Sequence, residues 1–221
     1  VVSKETYTFE DRGGDSLTLR PEGTAGIMRA IIQSGKCNEI PLKLFYSGPM
    51  FRYERPQKGR LRQFNQIGVE LLGISEPIAD VEVILCGVKY LKKLGVLDKC
   101  VLNINTLGDT ESRLIYRESL VKYFNKNISS LSPISKERLN SNPLRILDSK
   151  EDLDQEIIKK APLFSSYLND ISKRHFEAVL EYLKLLGVKY KHNEKLVRGL
   201  DYYCHTTFEF ITTELGSQGT V

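Results

Sequence analysis

Cysteine and histidine are both scarce in this chain, and neither is arranged for metal or disulfide chemistry. Cys37, Cys86, Cys100 and Cys204 are scattered along the 221 residues, so their spacing supports neither a CxxC pair nor a disulfide framework. His175, His192 and His205 lack the short intervals of a zinc site, and no residue is put forward as a metal ligand. No apolar run reaches the roughly 18 residues of a membrane-spanning helix, and no repeat or low-complexity tract is present. These absences leave a globular protein with reduced thiols, no membrane partner and a cytoplasmic setting as the expectation. A net charge of +4 is compatible with a nucleic-acid partner without requiring one. The chain begins at Val1 without an initiator methionine and ends within Gly216-Ser217-Gln218-Gly219-Thr220-Val221. It is therefore expected to be a piece of a longer protein.

What is present is an alternation of strand-like and helix-like segments. Residues 6–10 and 16–20 read as strands joined by the turn Asp11-Arg12-Gly13-Gly14-Asp15. Pro21 is placed to open a helix running to about Gln33, with Gly35 as its stop. Residues 42–51 and 63–72 read as two further strands. Residues 77–94 read as a helix with Ile78, Val81, Leu85, Val88 and Leu91 on its apolar face. Residues 101–106 alternate as a half-buried strand. From about Thr110 the texture turns helical: 111–125, with Leu114, Leu120, Val121 and Phe124 inward, then 151–160, then 172–186, with Phe176, Val179, Leu183 and Leu186 on one face. A loop containing a short helix fills 125–143. Strand chemistry returns at 188–192 and 205–212. The expected fold is α+β, an antiparallel sheet flanked by helices and interrupted by a mostly helical insertion, with divisions at 1–109, 110–194 and 195–221.

Three segments carry chemistry. The first is Phe51–Glu70, which reads as strand, cationic loop, strand. Arg52, Arg55, Lys58, Arg60 and Arg62 crowd the loop region, while Glu54, Gln66 and Glu70 are expected on the flanking apolar strands. Burying a carboxylate is costly unless it is paired. A pocket for a triphosphate and a small polar molecule explains the cost, because guanidiniums grip phosphates with a planar fork. Phe64, Gln66 and Glu70 share one face by the strand period of two. The plainer alternative is a solvated basic loop with a surface ion pair. The second segment is Arg20-Pro21-Glu22-Gly23-Thr24. It is either a helix start with an acidic first turn or a pocket mouth at which Glu22 and Thr24 accept bonds from a substrate ammonium. The third is Leu196–Tyr203, either a loop with Arg198 paired to Asp201, or a fixed cation at a phosphorus centre with a tyrosine-lined pocket beside it. His175 reads as a satisfied helix histidine. Cys204 and His205, as neighbours on a strand, point to opposite faces and make a poor nucleophile pair.

Taken together, these segments closely resemble the histidyl-tRNA synthetase family, within the class II aminoacyl-tRNA synthetases. Phe51–Glu70 is similar to motif 2 of the class, with its FRxER start and RQFxQ return. Leu196-Val197-Arg198-Gly199-Leu200-Asp201-Tyr202-Tyr203 resembles the family's first histidine signature, and Leu215–Val221 the lead-in to the second. The resemblance runs nearly end to end. It implies a class II synthetase-like core and activation of L-histidine with ATP to histidyl-adenylate, followed by transfer to tRNA(His). Mg2+ is implied on the triphosphate, and a homodimer for the whole protein.

By position, the resemblance assigns Arg52 to the α-phosphate and the substrate carboxylate, Glu54 to the adenine amino group, Phe64 to stacking on adenine and Arg60 to the γ-phosphate. It assigns Glu22, Thr24 and Gln66 to the α-amino group, Glu70 and Tyr203 to the imidazole nitrogens, Tyr202 to the same histidine pocket, and Arg198 to the role of catalytic cation. Motif 1, motif 3 and the anticodon-binding domain would lie outside these 221 residues, so the piece alone is expected to be inactive. The alternative within the same fold is a histidine-sensing regulatory paralogue of an ATP phosphoribosyltransferase, which needs the histidine pocket but not the arginines. Contact of tRNA with Lys136, Arg138, Lys159, Lys160, Lys173 and Arg174 is weighed against a merely solvated helical face.

Overall fold

The computed structural model describes residues 5–147, 149–197, 203–214 and 219–221. The fold is α+β, and among the described residues it contains seven strands and six α-helices. It divides into two compact units, Val1–Gly95 with Thr212–Val221, and Val96–Ile211. No helix is long and apolar enough to cross a membrane among these residues.

In the first unit, β1 (Thr8–Glu10) pairs antiparallel with β2 (Ser16–Thr18). The Asp11 carboxylate accepts from the amides of Gly13 and Asp15 and so closes the turn. Helix α1 spans Thr24–Gln33, three residues later than a start at Pro21. The delay has a local cause. The Glu22 carboxylate accepts from the amides of Thr24 and Ala25, at 2.6 and 3.0 Å. It thus caps the helix from outside and leaves residues 21–23 as a lead-in. Strands β3 (Leu42–Phe51) and β4 (Gln63–Leu72) form a ten-residue antiparallel ladder from Leu42↔Leu72 to Phe51↔Gln63. Helix α2 (Pro77–Lys93) starts with proline at its first turn and buries Ala79, Val81, Ile84 and Leu91. Ile78, expected on the apolar face, is half exposed.

The second unit holds a three-stranded sheet. Strand β5 (Val101–Thr106) pairs antiparallel with β7 (Thr206–Ile211) and, over two residues, parallel with β6 (Lys191–His192). The helices are α3 (Thr110–Lys126), α4 (Pro133–Ser141), α5 (Asp152–Lys159) and α6 (Asp170–Leu185). Their core gathers Tyr116, Leu120, Phe124, Leu131, Leu139, Ile146, Phe164 and Leu168.

The inward face of α3 is Ser112–Tyr116–Leu120–Phe124, a ladder at the four-residue interval of a helix. Leu114, expected inside, is 57% exposed. Tyr116 takes the position because its ring meets Phe164 edge-on at 4.8 Å and its hydroxyl donates to the Pro162 carbonyl. Leu186 likewise falls just past the end of α6 and is exposed.

Helices α3 and α6 cap one another. Asp109 accepts from the Ser112 amide and Asn169 from the Ser172 amide. The Asp109 amide donates to the Ser172 hydroxyl, and the Asn169 amide to the Ser112 hydroxyl. Asn169 Nδ2 closes the network on Asp109 Oδ2 at 2.6 Å. This pairing sets the start of α6 at Asp170 rather than at Ser172.

Gly108 enters the cap with φ +55°, and a Cβ there would lie 2.9 Å from Leu168 Cδ2 and 3.0 Å from Ser112 Cβ. Gly108→Ala therefore combines a left-handed backbone with a core collision, and a loss of about 2–3 kcal/mol is expected. Urea denaturation reads it as a lowered midpoint; an unchanged midpoint would refute the collision.

Candidate active site

The first unit brings Phe64, Gln66 and Glu70 to one face of the β3–β4 ladder, with Thr24 against it. Along β4, Phe64, Gln66, Gly68 and Glu70 point the same way. Across from them stand Met50, Gly48, Tyr46 and Leu44 of β3. The lead-in to α1 meets this face: Thr24 Oγ1 donates to Glu70 Oε1 at 2.7 Å. The Glu22 carboxylate is engaged with the helix start from just outside it, not from within a first turn opened by Pro21, and its charge still reaches Tyr46.

Arg52 continues the ladder just past β3, its amide donating to the Arg62 carbonyl. Its Nε donates to the Pro21 carbonyl at 2.9 Å, and its guanidinium lies 5.0 Å from the centroid of the Phe64 ring. Such a cation–π contact contributes about 0.5–1 kcal/mol. The arginine is therefore tied both to the lead-in that carries Glu22 and to the strand that carries Gln66. Its terminal nitrogens keep the fork that suits a phosphate or a carboxylate.

Glu54 does not lie on the strand. It sits in the connecting loop, where its carboxylate pairs with Arg60 Nε at 2.8 Å and is only 14% exposed. Arg62 braces the same loop, its Nε donating to the Glu54 carbonyl and its guanidinium covering the Tyr53 ring. Glu54 and Arg60 thus pair with each other, as burial of a carboxylate demands.

Gln66 is the exception to such pairing. Its Oε1 is buried and has no hydrogen-bond donor among the described residues. A buried acceptor left in this state costs about 1–3 kcal/mol, which an incoming N–H donor would recover.

Tyr46 was not singled out from the sequence, yet it stands at the centre of the cluster. Its ring fills the space beside two glycines. A Cβ on Gly23 would fall 2.3 Å from Tyr46 Cε2, and one on Gly68 would fall 2.1 Å from Tyr46 Cζ. Burial and then the Glu70 charge push its phenol pKa up, while a hydrogen bond with Thr24 opposes them. The signal available in the sequence was Gly68 itself, a glycine inside a strand, which often marks a close approach.

Tyr203 belongs to the second unit, where its carbonyl accepts from the Arg113 guanidinium. Arg198 and Tyr202 lie outside the described residues. His175 stacks on the His205 ring at 4.4 Å, and Cys204 is exposed. Of the basic residues weighed for RNA contact, Lys159 pairs with Glu156 and Arg138 donates to the Arg145 carbonyl. Among the described residues, no group of three or more His, Cys, Asp or Glu side chains could hold a metal ion.

The hairpin holds Phe64, Gln66 and Glu70 on one face with Arg52 just past its end, and the α+β fold around it has class II aminoacyl-tRNA synthetases as its structural neighbours. Residues 2–218 match the family described as histidyl-tRNA synthetase, and the chain belongs to that family. It is 56% identical to the histidine–tRNA ligase of Rhodospirillum rubrum and 54% identical to that of Gluconacetobacter diazotrophicus, over all 221 residues in each case. It spans about half of these relatives, 53% of each. The apo crystal structure of S. aureus histidyl-tRNA synthetase superposes with a TM-score of 0.73 at 41% identity, covering 93% of this chain and 48% of that one.

Proposed function

We propose that this chain carries the substrate-activating part of a histidine–tRNA ligase. The histidine carboxylate attacks the α-phosphorus of ATP. The bond from that phosphorus to the bridging oxygen breaks, pyrophosphate leaves, and histidyl-adenylate remains. The 3′ end of tRNA(His) then takes the histidyl group and AMP is released. The nucleophile is already charged at neutral pH, so no general base is needed. Positioning and electrostatic stabilisation supply the rate.

The single observation carrying this proposal is the donorless, buried Gln66 Oε1 on the same strand face as Glu70. An α-ammonium would satisfy Gln66, with Glu22 and Thr24 beside it. Glu70 would accept from an imidazole N–H, and Tyr202 and Tyr203 are proposed as further readers of the histidine substrate. A site built on such bonds rejects analogues that lack them. Arg52 would bridge the α-phosphate and the histidine carboxylate. Phe64 would stack on adenine and Glu54 would take its amino group. Arg60 would leave Glu54 for the γ-phosphate, and Arg198 would be the catalytic cation.

Mg2+ would come bound to the triphosphate and supply positive charge against the phosphates. Residues 110–194 would form an insertion between core parts 1–109 and 195–221, in keeping with the apolar cluster formed within 116–168. A cytoplasmic homodimer is the proposed working form, and the four free cysteines suit that compartment.

The regulatory paralogue would need no arginine at a phosphate site. Arg52, tied at once to Pro21 and Phe64, favours the ligase. Exchange of labelled pyrophosphate into ATP by the full-length protein should require histidine and no other amino acid. Histidine-independent exchange, or none, would overturn the proposal.

A further inference from the structure

We propose that Arg62 is a positioning residue for the nucleotide end of the site: it holds the backbone of Glu54, and with it the Glu54–Arg60 pair, and is not itself a phosphate ligand. The inference rests on the ligase reading above and adds a residue to its ATP side.

Arg52, Arg55, Lys58, Arg60 and Arg62 stand close in sequence, and charge alone would fit each of them to a phosphate. What the Arg62 guanidinium touches sets it apart. Its Nε donates to the Glu54 carbonyl at 3.1 Å, and its Cζ lies 4.7 Å from the centroid of the Tyr53 ring. The planar group gives an edge to a backbone oxygen and a face to an aromatic ring, a combination open to arginine and closed to lysine. The Tyr53 ring is braced in turn. Tyr7 meets it edge-on at 5.4 Å, and the Tyr53 amide donates to the Glu5 carbonyl at 2.9 Å. Support for the platform thus comes from the segment before β1, outside the loop it steadies.

The loop between β3 and β4 is fixed at its base and its tip. At the base the Arg52 amide donates to the Arg62 carbonyl at 2.9 Å. At the tip Gln57 and Arg60 exchange amide–carbonyl bonds, with Gly59 at φ +79° between them. Glu54 lies on the stretch between. Its amide donates to the Arg52 carbonyl, and its own carbonyl accepts from Arg62. Because the Glu54 carboxylate holds Arg60 Nε at 2.8 Å, fixing the Glu54 backbone sets where both partners stand. Arg62 therefore acts on ATP through Glu54 and Arg60.

Pyrophosphate exchange by the full-length protein, with ATP and histidine varied in turn, tests this in Arg62→Ala, Arg62→Lys, Tyr53→Leu and the Arg62→Ala, Tyr53→Leu pair. Arg62→Ala should raise KM for ATP about tenfold, the loss of one hydrogen bond and one cation–π contact. KM for histidine and kcat should hold, because the Arg52 bond to residue 62 is made by backbone and survives. Arg62→Lys should lose as much despite keeping its charge. Tyr53→Leu removes no cation, yet it should raise KM for ATP severalfold, and the pair should be no worse than Arg62→Ala alone. Recovery of ATP affinity by lysine would mark Arg62 as a charge on the triphosphate and overturn the proposal. So would an unchanged KM for ATP in Arg62→Ala or Tyr53→Leu, equal losses for both substrates, or additive losses in the pair. Failure of Arg62→Ala to fold would also overturn it, since the contacts would then serve the fold rather than the site. Absence of histidine-dependent exchange in the unmodified protein is a different result, and it would remove the ligase proposal itself.

Discussion

Arg52→Ala is expected to lower the rate of histidine-dependent pyrophosphate exchange by about 10²–10³-fold, the usual cost of removing a preorganised charge from a developing transition state. Arg52 stands where the proposed α-phosphate and histidine carboxylate meet. It is also held from behind by the Pro21 carbonyl and by Phe64, so its position is set before ligand arrives. Arg52→Lys should recover little, because an ammonium keeps the charge but loses both the fork and the planar contact with the aromatic ring. Arg60→Ala makes the contrast. Arg60 is paired with Glu54 in the loop, and its loss should act mainly on KM for ATP. Steady-state exchange with each substrate varied in turn separates the cases. If Arg52→Ala retained full kcat, the proposed phosphate contact would be wrong.

The second large effect concerns stability. Asp154 is fully buried in the second unit and accepts four hydrogen bonds: the Ser132 amide and hydroxyl, and the hydroxyls of Ser135 and Ser149. It ties the N-terminus of α4 to α5. Ser132 is the N-cap of α4 and accepts from the Ser135 amide, so the carboxylate organises a cap from behind. Asp154→Ala would strand a backbone amide and three hydroxyls in a dry site. A loss of about 4 kcal/mol is expected, since each buried donor left unmade costs about 1–3 kcal/mol and the hydroxyls can partly turn to one another. Chemical denaturation should show it as a large fall in the midpoint, and a change under about 1 kcal/mol would refute the network's weight.

Acid should reach the same site. Burial raises the Asp154 carboxyl pKa, but its hydrogen bonds outweigh burial and hold it below the ordinary value of 3.8. Asp109 in the shared helix cap is lowered in the same way, its bonds from Ser112 and Asn169 outweighing burial. A carboxylate held below its unfolded pKa stabilises the fold above that pKa, and the benefit drains as pH falls through the lowered value. Stability should therefore drop below about pH 4. The drop should be shallower in Asp154→Asn, which cannot titrate.

Much of this protein is local in origin. The hairpin β3–β4 follows from period-two patterning on either side of a polar loop. That period alone also places Phe64, Gln66 and Glu70 on one face, whatever the strand packs against. Helix α2 announces itself by Pro77 and Gly95, and the combination of motif 2 with the Leu196–Tyr203 signature is specific enough to name the family. None of this requires knowing which distant residues meet.

The rest was decided by chain closure. Periodicity says which residues share a side of α3 but not how far that side is turned. Tyr116 took the place expected for Leu114 because Phe164 and Pro162, more than 40 residues away, offered its ring and hydroxyl partners. Glu54 and Arg60 are near in sequence, yet only the loop's folding pairs them. Tyr46 shows the limit most plainly. A tyrosine on a strand is unremarkable in sequence; it gains its position because Gly23 and Gly68, one from each flanking segment, leave a slot the width of its ring. Patterning is a property of one element, fixed by backbone geometry over a few residues. A site is a coincidence of several elements, and only the long-range contacts that exclude water and satisfy buried polar groups decide which side chains share it.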